Sequence, residues 1–270
     1  SGYGSSGPYR DKKAYDLLVQ AEAGVISING SQDAPAKIGL PVADLSAGMY
    51  AYTGILTALY SRERTGEGSA FEVSMFEALG EWMGFALYYT AYGGVPPART
   101  GASHALVQPY GPFTCGDGKS VFLGVQNSRE WVRFCQIVLD SPETATDQRF
   151  NSNSRRVTNR DLLTTLINER FARLTMEEVI SKLDHAGIAN AHLNSVQEFW
   201  DHAQHKARNR WREVESEAGP LKALLPPVTA RGAEPRMDPI PSVGEHTENI
   251  LRSLGRTDED IRRLRAEAAI

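Results

Sequence analysis

The residues best suited to chemistry lie in the stretch Leu40-Pro41-Val42-Ala43-Asp44-Leu45-Ser46-Ala47-Gly48-Met49. Leu45, Met49, Tyr52, Leu56 and Leu59 recur at helical spacing, which predicts a helix running from this stretch to Arg64. A carboxylate at Asp44 would meet the positive pole of that helix, stay ionised and be able to attack an electrophilic carbonyl. The same residue also reads as an ordinary N-cap, because Asp is among the side chains preferred there. The residues alone leave both readings open. Gly48 and Gly54 lie inside the predicted helix, where each costs about 1 kcal/mol relative to Ala; such glycines usually permit a close approach. A second cluster, Lys12 and Lys13, stands at the front of a short predicted helix over residues 14–23, where the dipole disfavours cations. An anionic ligand nearby and plain solvation both account for the pair.

The whole chain bounds what these residues can serve. It has 270 residues, 41% hydrophobic and 23% charged, with a formal net charge of -4. That suits one large or two smaller globular domains with a sizeable core. No basic run argues for a nucleic-acid partner. The most apolar segment, residues 75–95, is interrupted by Glu77, Glu81 and several glycines, which argues against a membrane span. Cys115 and Cys135 fit no metal or redox spacing and favour a reducing, cytoplasmic compartment. No metal site is expected.

The elements that must position the candidate residues can be placed in outline. Val25–Ile28 and residues 70–74 are predicted as strands, and residues 75–92 as one long helix that is buried or meets a partner. Residues 93–97, Gly-Gly-Val-Pro-Pro, break it and act as a linker. Beyond the linker the texture changes. Residues 110–115 and 119–125 form a hairpin around Asp117-Gly118. A helix over residues 127–139 carries Trp131, Phe134 and Val138 on one face. Residues 160–174 and Met176–Ala186 are amphipathic helices, so this portion is a small α+β domain. A short helix over residues 195–205, strands within 211–222, a Pro-rich stretch over 226–241 and two closing helices complete the chain. Three segments result: residues 1–92 carry the candidate Asp44, 93–194 are linker and small domain, and 195–270 return to the first body.

Several of these stretches together resemble the family III CoA-transferases, the group that includes formyl-CoA transferase and the carnitine CoA-transferase. The matches are Gly2-Tyr3-Gly4 with Gly7-Pro8, Lys13-Ala14-Tyr15-Asp16 with Gln20-Ala21 and Gly24, and Asp44 with Gly48. Arg64-Thr65-Gly66-Glu67-Gly68, Pro109-Tyr110 with Phe113, Asp117-Gly118, Asn127, Trp131 and Gly244-Glu245-His246-Thr247 follow in the family's order. Each motif is weak alone; the ordered series is specific. The resemblance implies an α/β fold, the remaining part of a Rossmann-like large domain plus a small α+β domain. It implies transfer of CoA from an acyl-CoA to a carboxylic acid through an aspartyl-CoA thioester on Asp44. Coenzyme A would act as substrate, with no permanently bound cofactor, in an interlocked homodimer.

By the same match Lys13, Tyr15 and Met75 fall at CoA contacts. Asp16 and Gly48 fall beside the nucleophile, in supporting places. His104 and Gln108 precede the Pro-Tyr of the small domain and are candidates to line or support an acceptor pocket. The stretch over residues 101–127 is most similar to members handling C4 and C5 dicarboxylates: succinate, mesaconate, citramalate or itaconate. The α-methylacyl-CoA racemases share the fold, but carry a catalytic His where this chain has Tyr15, and tyrosine is a poor base near neutral pH. Family members begin with a longer nucleotide-binding half that this chain lacks. A non-catalytic subunit or fragment is therefore a third reading.

Overall fold

The computed structural model describes residues 1–228 and 230–270. Its first compact unit is Ser1–Leu193 and its second Asn194–Ile270. The first unit opens with helices α1 (Asp16–Glu22), α2 (Val25–Ile28), α3 (Val42–Thr65), α4 (Met75–Trp82) and α5 (Gly84–Gly93). Then follow strands β1 (Tyr110–Thr114) and β2 (Ser120–Gly124), helix α6 (Ser128–Arg133) with a π-helical turn over Phe134–Val138, and a 3-10 turn over Pro142–Ala145. Helices α7 (Asn153–Thr158), α8 (Arg160–Phe171) and α9 (Met176–Ala186) and strand β3 (Ala189–His192) complete it. The second unit holds α10 (Val196–Trp200), α11 (Ala203–Ala207), the antiparallel pair β4 (Trp211–Val214) and β5 (Leu221–Leu224), α12 (Thr247–Ser253) and α13 (Asp258–Ala266).

The first unit contains two separate apolar cores. The larger lies on an antiparallel sheet ordered β1-β2-β3 and gathers Trp131, Phe134, Phe150, Leu163, Ile167, Phe171 and Leu183. Phe113, Val121 and Leu123 face it from β1 and β2 at alternate positions, as a half-buried sheet requires. Gly118 turns the expected hairpin at φ 77°. Helix α9 is closed by a capping box between Thr175 and Glu178 and by Gly187 in the left-handed region. The smaller core holds Val19, Val25, Val42, Ala43 and Leu79, with Met75 and Met83 packed against it.

Within residues 1–92 three expected elements differ. Val25–Ile28 is a helical turn, because Gly24 at φ 80° ends α1 and its carbonyl accepts from the Ser27 N–H and hydroxyl. The long helix over 75–92 is two helices that break at Met83, between Gly80 and Gly84. Residues 70–74 are extended, yet they belong to no named strand. Their neighbour is the start of the chain: the Ser1 amine donates to Val73 O, and the N–H groups of Met75 and Phe76 donate to the carbonyls of Ser1 and Gly2. Bonds from one residue to both i−1 and i+1 of its neighbour are the parallel pattern.

Helix α3 buries little. Among its 24 residues only Val42, Ala43 and Ser46 are buried, all in its first turns. Leu45, Met49, Tyr52, Leu56 and Leu59, the stripe that predicts the helix, are exposed. At Gly54 a Cβ would stand 2.8 Å from the Phe71 ring, so that glycine serves a contact within the chain; around Gly48 the space is open.

Candidate active site

Helix α3 starts at Val42, so Asp44 is the third residue of its first turn and not its cap. Pro41 occupies the cap position and offers no side-chain bond. The Val42 N–H donates to Leu40 O and the Leu45 N–H to Pro41 O. The Ala43 N–H is satisfied from another helix, by Asp16 Oδ1 at 2.8 Å. Asp16 thus takes the capping role that the residues alone offered to Asp44, and the macrodipole argument applies to both carboxylates. The Asp44 carboxylate is exposed and has no hydrogen-bond or ion-pair partner among the described residues. One turn on, Gly48 occupies the same helix face and keeps it open.

The pair of lysines divides. Lys12 bonds Glu22 and lies over the rings of Tyr9 and Tyr3, at 4.0 and 5.5 Å from their centroids. The Glu22 bond raises its pKa above the ordinary lysine value. Lys13 is exposed and has no partner among the described residues. Tyr15, at the N-terminal edge of α1, is 71% exposed, so the buried face of α1 is Val19 and Gln20, with Leu18 outside it. Met75 is partly buried against the smaller core beside Val42 and Ala43. A cavity of about 490 Å³ lined by Ala23, Gly24, Ser27, Phe76, Met83 and Leu87 contains none of the candidate residues.

His104 and Gln108 lie in the loop that leads into β1. The His104 ring stacks on Tyr110 at 5.3 Å and 7°, and its Nδ1 accepts from the Leu106 N–H, while Nε2 has no partner among the described residues. Gln108 is only 2% exposed. Its Nε2 donates to Thr164 Oγ1 at 3.1 Å and its Oε1 accepts from Arg160 Nη1 at 2.8 Å. Arg160 also donates to the carbonyls of His104 and Ala105, and buried Arg156 to the carbonyl of Gln108. An amide committed this way cannot face an acceptor, so of its two expected places Gln108 fits support and not lining. Burial pushes both guanidinium pKa values down from the ordinary arginine value.

The residues that the chemistry-first reading passed over are Gln20, Arg156 and Arg160. Gln20 stood in the sequence only within the family match, with no role, and its i+4 spacing from Asp16 on a helix was the physical signal of one. The two arginines carried none, because their partners are main-chain carbonyls distant in sequence.

The first turn of α3 thus carries an exposed carboxylate with an open glycine one turn on, and Lys13, at the front of α1, is uncommitted among the described residues. The chain belongs to CoA-transferase family III, whose family model matches residues 1–247. It is 30% identical to an acyl-CoA transferase of Fusarium pseudograminearum, over 100% of this chain and 60% of that protein. It is 28% identical to a succinate–glutarate CoA-transferase of Agrobacterium fabrum, over 94% of this chain and 64% of that protein. Among solved structures it superposes on a CaiB/BaiF family protein from Brucella suis with TM-score 0.78 and 28% identity, covering 94% of this chain and 66% of that one. The chain thus spans about 60% of the length of these two curated relatives. The mixed helix-and-strand fold is that of the family. No helix among the described residues is long and apolar enough to cross a membrane.

Proposed function

We propose that the complete protein transfers CoA from an acyl-CoA donor to a carboxylic acid, with Asp44 as the nucleophile. The observation that carries this reading is the freedom of Asp44: it stands in the first turn of α3 while Asp16 does the capping. The Asp44 carboxylate attacks the donor thioester carbonyl, and the CoA thiolate is expelled from the tetrahedral adduct, leaving a mixed anhydride. The thiolate then attacks the Asp44 carbonyl, releases the donor acid and leaves an aspartyl-CoA thioester. The acceptor carboxylate repeats the exchange and regenerates Asp44. Each step trades one activated acyl group for another, so the balance closes without ATP. Of the main-chain N–H groups at the start of α3, those of Val42, Ala43 and Leu45 are already bonded, which leaves the Asp44 N–H as a donor to an oxyanion.

In this reading Lys13 meets a CoA phosphate as a point charge, with Tyr15 and Met75 at the CoA side. His104 faces the acceptor, and Asp16, Gly48 and Gln108 support. The acceptor class is a C4 or C5 dicarboxylate such as succinate, mesaconate, citramalate or itaconate; the Agrobacterium relative named for succinate and glutarate supports that size. We further read residues 195–270 as returning to the body of residues 1–92, in a cytoplasmic homodimer whose chains interlock over apolar faces such as that of α3. No observation favours racemisation: Tyr15 presents an exposed phenol where that chemistry wants a base.

Asp44→Asn in the complete protein tests the proposal. A residue that merely caps loses little on this change, since Asn caps about as well as Asp. A nucleophile loses transfer almost completely while the fold is kept. Near-native turnover of Asp44→Asn would overturn the assignment.

A further inference from the structure

Gln20 is fully buried, in a smaller core whose other members are apolar. A buried amide costs stability unless its donors and acceptor are matched, and a leucine would fill the space at less risk. Gln20 is matched three ways. Its Nε2 donates to Asp16 Oδ2 at 2.8 Å and to Leu40 O at 3.3 Å, and its Oε1 accepts from the Ile38 N–H at 3.0 Å. Asp16 carries the chain of bonds onward to the Ala43 N–H. One pair of side chains on α1 therefore holds the main chain on both sides of Pro41: Ile38 and Leu40 before it, Ala43 after it.

Asp44 is the next residue. Its own carboxylate has no partner among the described residues, so within them only its backbone aims it. Resting on the assignment of Asp44 as nucleophile, we propose that Gln20, acting through Asp16, is a positioning residue that fixes the first turn of α3 and with it the line of attack of Asp44. The pair spends a buried hydrogen-bond network on orientation, which apolar packing by Val19 and Val42 does not supply. Neither residue touches substrate in this account.

The pair is also polar in a defined sense, which makes a swap possible. Asp16 accepts twice, and Gln20 donates to it. In Gln20→Glu two carboxylates face each other; in Asp16→Asn an amide donor meets a donor, at Gln20 or at Ala43. Each single change breaks the chain of bonds. In the double variant Asp16→Asn/Gln20→Glu the new amide donates to the new carboxylate and still accepts from Ala43, and the carboxylate still accepts from Ile38. The cost is at Leu40, where the 3.3 Å donor is replaced by a carboxylate oxygen facing the carbonyl.

The experiment measures kcat and KM for acyl-CoA in the complete protein for both singles, the double and Asp44→Asn. Misplacing a reacting group by an ångström costs about 10²-fold in rate. The expected result is that scale of loss in kcat for each single, with KM for acyl-CoA little changed, and recovery in the double. A purely structural pair would lower the unfolding midpoint of the singles and leave kcat alone below it. Native kcat in the folded singles, in an enzyme that Asp44→Asn inactivates, overturns the positioning role and spares the nucleophile. Should the singles fail to fold, a folded but inactive double overturns it equally. An active Asp44→Asn instead overturns the nucleophile assignment, and the positioning role falls with it.

Discussion

Residues 1–93 and the region around the three-stranded sheet that follows them, parts of one compact unit with separate cores, solve the same problem in opposite ways. The sheet region closes its own core: Trp131, Phe134, Phe150 and Phe171 are fully buried, and helices α8 and α9 pack on the three-stranded sheet. The first region has a small core of valines, Ala43 and one leucine, and leaves the apolar stripe of α3 and much of α5 in the open. Its precision comes from polar bonds instead, those of Asp16 and Gln20. The difference teaches that rigidity at the candidate site is local, built from a few hydrogen bonds around Pro41, while global stability within this chain is concentrated in the small domain.

The comparison can be broken by truncating like residues in both places. Phe171→Ala should cost about 3–5 kcal/mol and Leu163→Ala about 2–5 kcal/mol in denaturant unfolding of this chain, because both leave cavities in a closed core. Leu56→Ala, on the open stripe of α3, should stay within about 0.5 kcal/mol on the same chain. Comparable losses at Leu163 and Leu56 would show that α3 is packed after all. The same Leu56→Ala measured in the complete protein sharpens the contrast: a loss there and not here would mean that another part of the protein covers the stripe.

Smaller effects separate the two glycines of α3. Gly48→Ala should raise stability by about 1 kcal/mol, since the added methyl meets nothing and helix propensity improves. Gly54→Ala should gain less, because its methyl lies 2.8 Å from the Phe71 ring, which must move. Equal gains would show that the Phe71 contact is not held. If Gly48 faces substrate, its stabilised alanine variant should turn over more slowly in the complete protein.

The smallest effect concerns thiols. Burial pushes Cys135 up to about 12 and raises Cys115 as well, so the thiolate forms are scarce near neutral pH. Neither should react with iodoacetamide in the native protein, and both should react once it is unfolded. Rapid native alkylation would mean that the small-domain core opens, against the view of it as the closed half.

Much of the small domain was legible because its signals are local. The Asp117-Gly118 turn and the spacing of Trp131, Phe134 and Val138 each lie within a few residues. The first region was legible in its motifs but not in its geometry. Asp44 read as a cap because its true competitor, Asp16, stands 27 residues earlier and reaches across from another helix. Val25–Ile28 read as a strand because β-branched runs carry that preference, and the turn set by Gly24 overrode it. Residues 70–74 alternate as a strand should, yet their hydrogen bonds go to the start of the chain, a partner no local pattern names. Gln108 looked available because a sequence does not tell which amides are already committed; Arg160 and Thr164 settle that only in three dimensions.

The central claim is that the carboxylate left free at the start of α3 carries the CoA. Incubating the complete protein with an acyl-CoA and hydroxylamine, followed by peptide mass mapping, tests it at the atom concerned. The account predicts a hydroxamate on Asp44, formed only when acyl-CoA is present and absent from Asp44→Asn. A hydroxamate on any other residue, or sustained transfer with Asp44 unmodified, would contradict it.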